Sequence, residues 1–389
     1  MNFIDGILNG VRSAAGLNAI GSSKHTSNDT TPAKQTGRVA TKVGTTFEQP
    51  ARDNGARPAD LGTLARAALQ APAAVPPHAT ADRSTAPPAA AAATPAGPRA
   101  RATVRDASHG FQVLGDVDTL ANGDAAIAAR NVQAGLDYYG ATFGRNGLDN
   151  AGSGVDVDIN DFSTDATGTQ TFHGNGGYYA TTQSDGTTYE AIHYGDGNTY
   201  TAAKGTVAQA SMLHAEDLAI HELTHGVIRK ETGFLGGGAD EAGATNEAIA
   251  DIMGASATRD WTLGESMYGA GSDYRNMRNI ANPDDPTSVH GLWTTMDQVR
   301  AKQSAGQMEE HWASGVLSTA AYRVQQRIGG DAGWKAVEQV FYNVIDTNKL
   351  GDMSFGAVAR GARSAADELY GAGSHVSTVV NEELQRGGL

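Results

Sequence analysis

The residues with the clearest chemical potential form one pentapeptide, His221-Glu222-Leu223-Thr224-His225. Its flanks favour a helix, because apolar residues recur at helical spacing and no proline interrupts them. Residues four apart lie on one helix face, so His221 and His225 can present two imidazoles to the same metal ion. Glu222 follows the first histidine and lies close enough to act on a water held by that ion. The pattern is H-E-x-x-H, in which two histidines ligate zinc and the glutamate is the general base of a hydrolysis.

The pentapeptide does not decide the matter by itself. H-E-x-x-H constrains only three positions, and chance yields it in a chain of this length at a rate on the order of one per cent. Two histidines on an apolar helix could also be core residues that bond to backbone carbonyls. A second stretch is needed to choose between metal binding and this structural reading.

That second stretch runs from Gly243 to Gly254 and carries Glu247 and Asp251, again four residues apart. A catalytic zinc takes three protein ligands and leaves the fourth position to water, and two histidines with one glutamate are a standard set. We therefore expect Glu247 to be the third ligand. Asp251, one turn further on, suits acceptance of the second ring N–H of a ligand histidine. A solvated acidic face is the alternative, but the neighbouring residues are apolar and unpaired buried carboxylates are costly.

Together the two stretches resemble the thermolysin family of zinc metallopeptidases, the glutamate-zincins, whose pattern is H-E-x-x-H followed by N-E-x-x-x-D. Three further segments are similar: the Y-G-D-G turn at 194–197, the arginine-bearing segment at 274–283, and the segment at 311–315, which resembles the family's H-x-N-S-G. The resemblance covers residues 105–389. Most of the N-terminal β-rich portion of thermolysin is missing, which points to the compact, protealysin-like branch.

The resemblance implies an α+β fold with two lobes. Residues 105–232 would form an N-terminal lobe in which a twisted β-sheet packs with the H-E-x-x-H helix. Residues 233–389 would form a mainly helical lobe that carries the third zinc ligand and the oxyanion histidine. Residues 1–104 hold Ala/Pro/Thr tracts that cannot bury a core, so we expect a disordered extension or propeptide there. We expect its removal near Arg99–Arg101.

The resemblance also implies roles for residues outside the metal site. His311, with Glu309 and Glu310 nearby to favour its charged form, would donate to the oxyanion of the transition state. Arg278 would bind a substrate carbonyl. The family's oxyanion tyrosine has no clear counterpart here, and Leu235 stands near its place.

Two more groups of residues match substrate-binding positions of the family. Asn175 and Gly177 lie in a segment like the edge strand that pairs with the substrate backbone by strand addition, although the segment is one residue longer here. Leu218 and Met277 match positions that line the pocket for a bulky apolar residue just after the cut.

Calcium ligands are the other departure from the family. Asp217, Asp260 and Glu265 fall at calcium-ligand positions, but two further carboxylate positions are Thr258 and Thr262 here. Calcium wants six to eight oxygens and its affinity follows the number of charged ligands. We therefore expect at most one weak calcium site beside the zinc site.

Composition excludes several classes of protein and site. The chain has no cysteine, which rules out disulfides and thiolate zinc sites. The net charge is −14, with +6 on residues 1–105 and −20 on the remainder, so an acidic body argues against nucleic-acid binding. No apolar run is long enough to span a membrane. The N-terminus lacks the basic start and continuous apolar run of a signal peptide, so we expect a protein that is cytoplasmic before export and secreted by a non-standard route. We also expect a monomer.

The sequence thus predicts a secreted-type zinc endopeptidase that acts on proteins or peptides. The alternative is a catalytically weak or inactive effector or binding protein on the same fold, suggested by the missing tyrosine and the altered edge strand. A metal-dependent aminopeptidase is disfavoured, because the G-x-M-E-N type sequence that binds a substrate N-terminus is absent.

Overall fold

The computed structural model describes residues 99–164, 170–172, 176–182, 186–202, 204–234, 238–346 and 352–389. The extension predicted to be disordered therefore lies outside the described residues, apart from its last few positions. The first strand, β1 (Ala102–Asp106), begins three residues before the predicted start of the N-terminal lobe at Arg105.

A five-stranded mixed sheet forms the N-terminal lobe. Its order is β2-β1-β3-β7-β6, with β1 and β3 and also β3 and β7 parallel, while the two outer pairs are antiparallel. Val155, Val157 and Ile159 alternate with aspartates along a central strand, so they share one face of the sheet, and all three are buried. The remaining strands of this sheet are β2 (Gln112–Gly115), β3 (Val155–Ile159), β6 (Gly176–Thr182) and β7 (Thr188–Tyr194).

Three two-stranded ribbons accompany the five-stranded sheet. All three are antiparallel. They are β4 (Phe162–Thr164) with β5 (Gln170–Phe172), β8 (Gly197–Ala202) with β9 (Gly205–Ala210), and β10 (Thr262–Leu263) with β11 (Arg278–Asn279). The last ribbon matters for the site, because it holds Arg278 at the surface of the helices that carry the metal ligands.

Nine α-helices occur in the described residues, and the last seven of them build the C-terminal lobe, as the resemblance implies. Apolar residues recur at three and four spacing along the last helices and pack into the core. The helices are α1 (Gly123–Phe143), α2 (Glu216–Thr232), α3 (Glu241–Thr258), α4 (Met296–Ser304), α5 (Glu310–Ala313), α6 (Gly315–Ile328), α7 (Gly330–Asp346), α8 (Phe355–Tyr370) and α9 (His375–Arg386).

The two ligand-bearing helices, α2 and α3, lie at the centre of the molecule. Glycines let their neighbours approach closely: a Cβ on Gly254 of α3 would stand 2.6 Å from the carbonyl oxygen of Asp217 on α2, and one on Gly135 of α1 would stand 2.8 Å from Leu223. A single apolar cluster runs from the sheet through α2 and α3 into the C-terminal helices. In the described part of the chain, no helix combines the length and apolar character that crossing a bilayer requires.

Candidate metal centre

Helix α2 buries both histidines of the pentapeptide on one face. His221 and His225 are at most 1% exposed, and their Nε2 atoms lie 3.1 Å apart. Two such nitrogens at hydrogen-bond distance cannot both carry a proton without repulsion. The helix therefore directs the Nε2 atoms of both histidines toward one point, where their lone pairs could bind the same ion, as the four-residue spacing predicts.

Helix α3 runs antiparallel to α2 and brings Glu247 to the same point. One carboxylate oxygen lies 3.3 Å from Nε2 of His221 and the other lies 3.5 Å from Nε2 of His225. Among the residues that the structure describes, these three are the only group whose possible ligand atoms all lie within 4.8 Å of one another. The glycine-rich connector between the helices includes residues 235–237, outside the described residues.

The spacing of the three ligand atoms fits a tetrahedral zinc ion. Zinc–nitrogen and zinc–oxygen distances of about 2.0–2.1 Å at tetrahedral angles put neighbouring ligand atoms roughly 3.3 Å apart. The observed separations between the three side chains are 3.1, 3.3 and 3.5 Å. Three ligands of the His/His/Glu type leave a fourth position for water, which is the arrangement of a catalytic rather than a structural site.

Asp251, one turn beyond Glu247, orients the first histidine. Its Oδ1 lies 2.9 Å from Nδ1 of His221, so it can accept the N–H that leaves Nε2 free for a metal. Arg278 donates to the same oxygen at 2.6 Å, and Ser314 Oγ lies 3.4 Å from the other. All four side chains are fully buried. The paired charges of Asp251 and Arg278 make that burial tolerable.

Glu222 is held beside the three-ligand group. Its Oε2 accepts the backbone N–H of Tyr178, on strand β6, at 2.8 Å. The same oxygen lies 4.0 Å from Nε2 of His225, too far to compete as a ligand yet within reach of a water at the fourth position. The general-base position is therefore fixed by the edge strand as well as by α2.

His311 approaches the site from the C-terminal lobe. Its Nε2 lies 3.8 Å from a carboxylate oxygen of Glu247, and its Nδ1 is paired with Glu309. The ring of His290 lies 5.5 Å from the ring of His311 at a 30° tilt. One ring nitrogen of His311 thus faces the metal-binding group while the other is engaged by a carboxylate.

Comparison with known proteins supports this geometry. The sequence model described as the thermolysin metallopeptidase catalytic domain matches residues 100–229, and that of the thermolysin metallopeptidase alpha-helical domain matches residues 239–388. The gap between the two matches, residues 230–238, takes in the end of α2 and most of the connector to α3, and together the matches cover well over half of the chain. The chain belongs to the thermolysin metallopeptidase family.

Individual relatives agree with this assignment. Neutral protease B of Bacillus subtilis is 30% identical over 283 residues, which is 69% of this chain and 46% of that protein. An extracellular elastase of Staphylococcus epidermidis is 28% identical over 243 residues, 61% of this chain and 41% of that protein. The chain therefore spans less than half the length of these relatives.

The fold also resembles a solved structure of the compact branch. The precursor of protealysin, a metalloproteinase from Serratia proteamaculans, superposes with a TM-score of 0.58 at 20% identity, covering 76% of this chain and 89% of that chain. Identity at this level compares folds alone. It confirms the predicted two-lobed α+β architecture of this thermolysin-family chain.

Burial and neighbouring charges set the pKa values of the buried groups in this thermolysin-family site. Burial would lower the pKa of His221, but hydrogen bonds and charge from Asp251 and Glu247 outweigh burial and raise that pKa to about 10. For Glu247, burial acts to raise the pKa, and interactions with His311, His225 and His221 lower it below its usual range. Burial and the charge of His221 hold the pKa of His225 low. At neutral pH the metal-free site thus keeps His221 protonated on both ring nitrogens, while His225 is neutral.

The pKa of His311 is governed by its carboxylate neighbours. Burial acts to lower it, and the charges of Glu309 and Glu247 raise it to about 9. For Glu309 burial acts in the opposite direction and would raise the pKa. The charge of His311 outweighs burial and lowers that pKa to about 2. His311 is therefore an imidazolium near neutral pH and can donate from Nε2.

Several residues matched to substrate-binding positions lie elsewhere or outside the described residues. Asn175 and Leu235 fall in segments that are not described. Leu218 and Met277 are fully buried and both contact the region of Gly264, where a Cβ would stand 2.9 Å and 3.2 Å from them. Their role in a specificity pocket stays a prediction.

The possible calcium ligands form no compact trio in the described residues. Asp217 accepts the N–H of Gly264 at 2.7 Å and is buried. Burial raises its pKa to about 6, with a further contribution from Asp260; burial together with the charges of Asp217 and Asp260 raises the pKa of Glu265 to about 8. The three carboxylates are thus near enough to repel one another but do not meet the spacing that the zinc-site residues meet.

Sequence reasoning missed three contacts that build the site. The backbone N–H of Tyr178 holds Glu222, Ser314 contacts Asp251, and the ring of His290 lies beside His311. Ser314 stands in the segment that resembles H-x-N-S-G, so the motif offered a signal for it. Neither Tyr178 nor His290 carried one, because a backbone contact and a long-range ring contact leave no spacing pattern.

Proposed function

We propose that this protein is a zinc endopeptidase. The observation that carries the proposal is the convergence of His221, His225 and Glu247 at separations that suit tetrahedral zinc, with Glu222 held 4.0 Å from His225. Bound zinc would act as a Lewis acid and lower the pKa of a water at its open position. The rest of the chemistry falls to side chains of this chain.

Glu222 is the general base in this proposal. Its Oε2, fixed by the Tyr178 N–H at 2.8 Å, takes a proton from the attacking water. The same carboxyl can then return that proton to the leaving nitrogen. Its fixed position matters, because a general base must lie within hydrogen-bond reach of the proton that it removes.

His311 stabilises the negative charge of the tetrahedral adduct. Protonated at both nitrogens, it keeps Nδ1 on Glu309 and offers Nε2 to the oxyanion. Removal of one such donor typically costs about 2.7–4 kcal/mol of transition-state stabilisation. Because the family tyrosine has no clear counterpart in the sequence, the proposal gives His311 most of this task and expects modest activity.

The substrate backbone adds to the open edge of β6. Strand β6 is the last in the sheet order, and the N–H of Tyr178 points away from β7 toward Glu222. Backbone groups alternate sides along a strand, so those of Gly177 face His193 on β7, while those of Gly176 and Tyr178 face the open edge. We therefore propose that the carbonyl oxygen of Gly176 meets the substrate, since the N–H of Gly176 already donates to Met212 Sδ at 3.1 Å. The roles given to Asn175 and Gly177 stay predictions. Arg278 would bind a substrate carbonyl near Asp251.

Substrate specificity, calcium binding, secretion and maturation are further parts of the proposal. Leu218 and Met277 support a preference for a bulky apolar residue after the cut. One weak calcium site at Asp217, Asp260 and Glu265 would relieve the mutual repulsion of these carboxylates. The relatives include a protein described as an extracellular elastase. That description supports secretion, and we propose an N-terminal extension that is removed on maturation.

A labelled-peptide or casein assay with a matched variant tests the proposal. We expect the zinc-loaded protein to cleave, and Glu222→Gln to lose about two to four decades in kcat while it still binds one zinc. Glu222→Gln keeps the side-chain size and an acceptor for Tyr178. Equal inertness of both proteins, each with zinc bound, would favour the binding or effector alternative.

A further inference from the structure

Strand β2 presents an unusually apolar free edge. It lies at the opposite end of the sheet from β6 and pairs only with β1 among the described strands. Its large apolar residues are exposed: Val113 by 62%, Leu114 by 38% and the preceding Phe111 by 46%. An exposed apolar edge strand is a template for pairing with another strand, and soluble proteins normally cover or charge it.

The residue before β2 has an unusual backbone conformation and a half-exposed aromatic ring. Phe111 has a φ of +61°, in the left-handed region that bulky residues rarely adopt. Its backbone N–H bonds to the carbonyl oxygen of Asp106 at 2.8 Å, and its ring lies 5.6 Å from the Arg105 guanidinium. Its ring also lies 6.4 Å from the ring of Tyr189 on β7, so Phe111 covers part of the sheet face, while Val113 and Leu114 form the exposed apolar part of β2.

One segment of the N-terminal extension has the sequence of a strand. From Val39 to Phe47, β-branched or aromatic residues occupy alternate positions, while Ala40, Lys42, Gly44 and Thr46 occupy the others. The first twenty residues carry apolar side chains at helical rather than alternate spacing (Phe3, Ile4, Ile7, Leu8 and Val11). The rest of the extension is dominated by alanine, proline, glycine and polar residues, which pair poorly in sheets. Arg38 and Lys42 give the segment a positive charge, opposite to that of the catalytic body.

We propose that residues 39–47 add to the free edge of β2 as an extra strand of the sheet. The chain re-enters the described structure at Arg99, immediately before β1, which is the strand beside β2. About fifty residues connect Phe47 to Arg99, a contour that reaches the edge in any direction. Such a tether gives an effective concentration in the millimolar range, so even a weak strand pairing is populated.

The charges near the edge suit this occupant. Asp116 and Asp118 follow β2 directly, and the side chain of Asp118 is 56% exposed. Lys42, on the polar face of the segment, can add to the contacts that Arg101 already makes there. The extension then covers the Phe111, Val113 and Leu114 surface until it is removed.

Hydrogen–deuterium exchange of the full chain tests the pairing. We would use Glu222→Gln as the parent, which prevents self-cleavage of the extension if the chain is an active peptidase. Val43→Pro removes an N–H donor and fixes φ in the middle of the segment; Ala92→Pro makes the same change in the Ala/Pro tract. We expect amides of Gln112–Gly115 to exchange about tenfold faster in Val43→Pro than in the parent or in Ala92→Pro. Equal exchange in all three proteins would overturn the proposal.

Cross-linking gives a second measurement that does not depend on exchange. The natural chain has no cysteine, so Val43→Cys with Val113→Cys introduces a single pair of thiols. Ala92→Cys with Val113→Cys is the matched control, with a shorter tether and hence at least as many random encounters. A short bismaleimide should link the Val43 pair within one chain about tenfold faster than the control pair. Equal rates, or concentration-dependent dimers that would assign the edge to a second copy, would refute the assignment.

Discussion

At the scale of single residues, the geometry of the site depends on a defined polar partner for each buried charged side chain. Asp251 receives both His221 and Arg278, and Glu309 receives His311. A buried histidine without such a partner would choose its own tautomer and orientation. These second contacts decide which nitrogen faces the metal position and which residue carries a proton.

The first prediction concerns Glu309. Its charge helps to raise the pKa of His311 to about 9, and His311 must be protonated to donate to the oxyanion. Activity should therefore be present below that pKa and decline as the pH rises through it. Glu309→Gln lowers the pKa, so the alkaline limb of kcat/KM should move to lower pH, with a loss of about fivefold at pH 9 if the shift is one unit.

Glu310→Gln is the matched control for this pH profile. It removes the neighbouring carboxylate, whose charge also acts on His311 but more weakly than the charges of Glu309 and Glu247, so its alkaline limb should move less. An unchanged alkaline limb in Glu309→Gln, or an equal displacement in both variants, would contradict the assigned role.

The second prediction concerns the proton that the metal-free site holds. With the pKa of His221 raised to about 10, zinc must displace a proton from it throughout the neutral range. Zinc affinity should therefore fall by about tenfold for each unit of decreasing pH between 8 and 6. Competition with a chelating dye measures this slope after removal of the metal. A flat profile would show that His221 is already neutral in the metal-free protein.

At the scale of elements, the separation of α2 and α3 sets the ligand geometry. The helices are close because Gly254 carries no side chain against the backbone of Asp217. Their distance determines how far Glu247 stands from the two histidines. Helix packing is therefore part of the metal site, although Gly254 contacts no ligand side chain.

The third prediction follows from that close approach. Gly254→Ala places a Cβ 2.6 Å from the Asp217 carbonyl oxygen, so the helices must move apart. Alanine favours a helix by about 1 kcal/mol over glycine, yet we expect a lower melting temperature and a tenfold or greater loss of zinc affinity. Gly356→Ala in α8 is the control, since its Cβ meets only the end of Arg360 at 3.4 Å. That variant should be neutral or more stable; a Gly254→Ala protein that behaves like it would refute the packing argument.

At the scale of the whole molecule, the start of the folded chain is fixed more firmly than the sequence suggests. Ala100 is buried and its carbonyl oxygen accepts the Gln133 side-chain N–H at 3.2 Å. The carbonyl oxygen of Arg101 accepts the N–H of Val155 at 3.0 Å. A protease needs its target in an extended, unbonded form, so the peptide bonds at Arg99–Arg101 make poor processing points in the folded protein.

The fourth prediction tests this on the intact chain. In the Glu222→Gln protein, trypsin should cut after Arg101 at least about a hundredfold more slowly in the folded state than in urea, because cleavage requires local opening. Mass spectrometry of timed digests measures both rates at the same bond. Early cleavage after Arg101 in the folded chain would support the processing point that the sequence suggests. We expect the natural cut to lie before Arg99.

The sequence by itself determined the family, the ligand types and most of the helices. His221 and His225 lie four apart on one helix, and Glu247 and Asp251 repeat that spacing on the next, so local periodicity carries the pattern. The same holds for α8 (Phe355–Tyr370), whose buried apolar residues recur at helical spacing. Motifs of this kind are local in the chain, and local geometry is what a sequence displays.

Only the tertiary structure decided what meets what across the chain. The contact of Tyr178 with Glu222, the sharing of Asp251 between His221 and Arg278, and the pairing of Gly177 with His193 all depend on strand register and helix distance. A one-residue change in register exchanges the two faces and the two edges of a strand, and no local pattern records it. These contacts join parts of the chain that are far apart in sequence, so packing alone sets them.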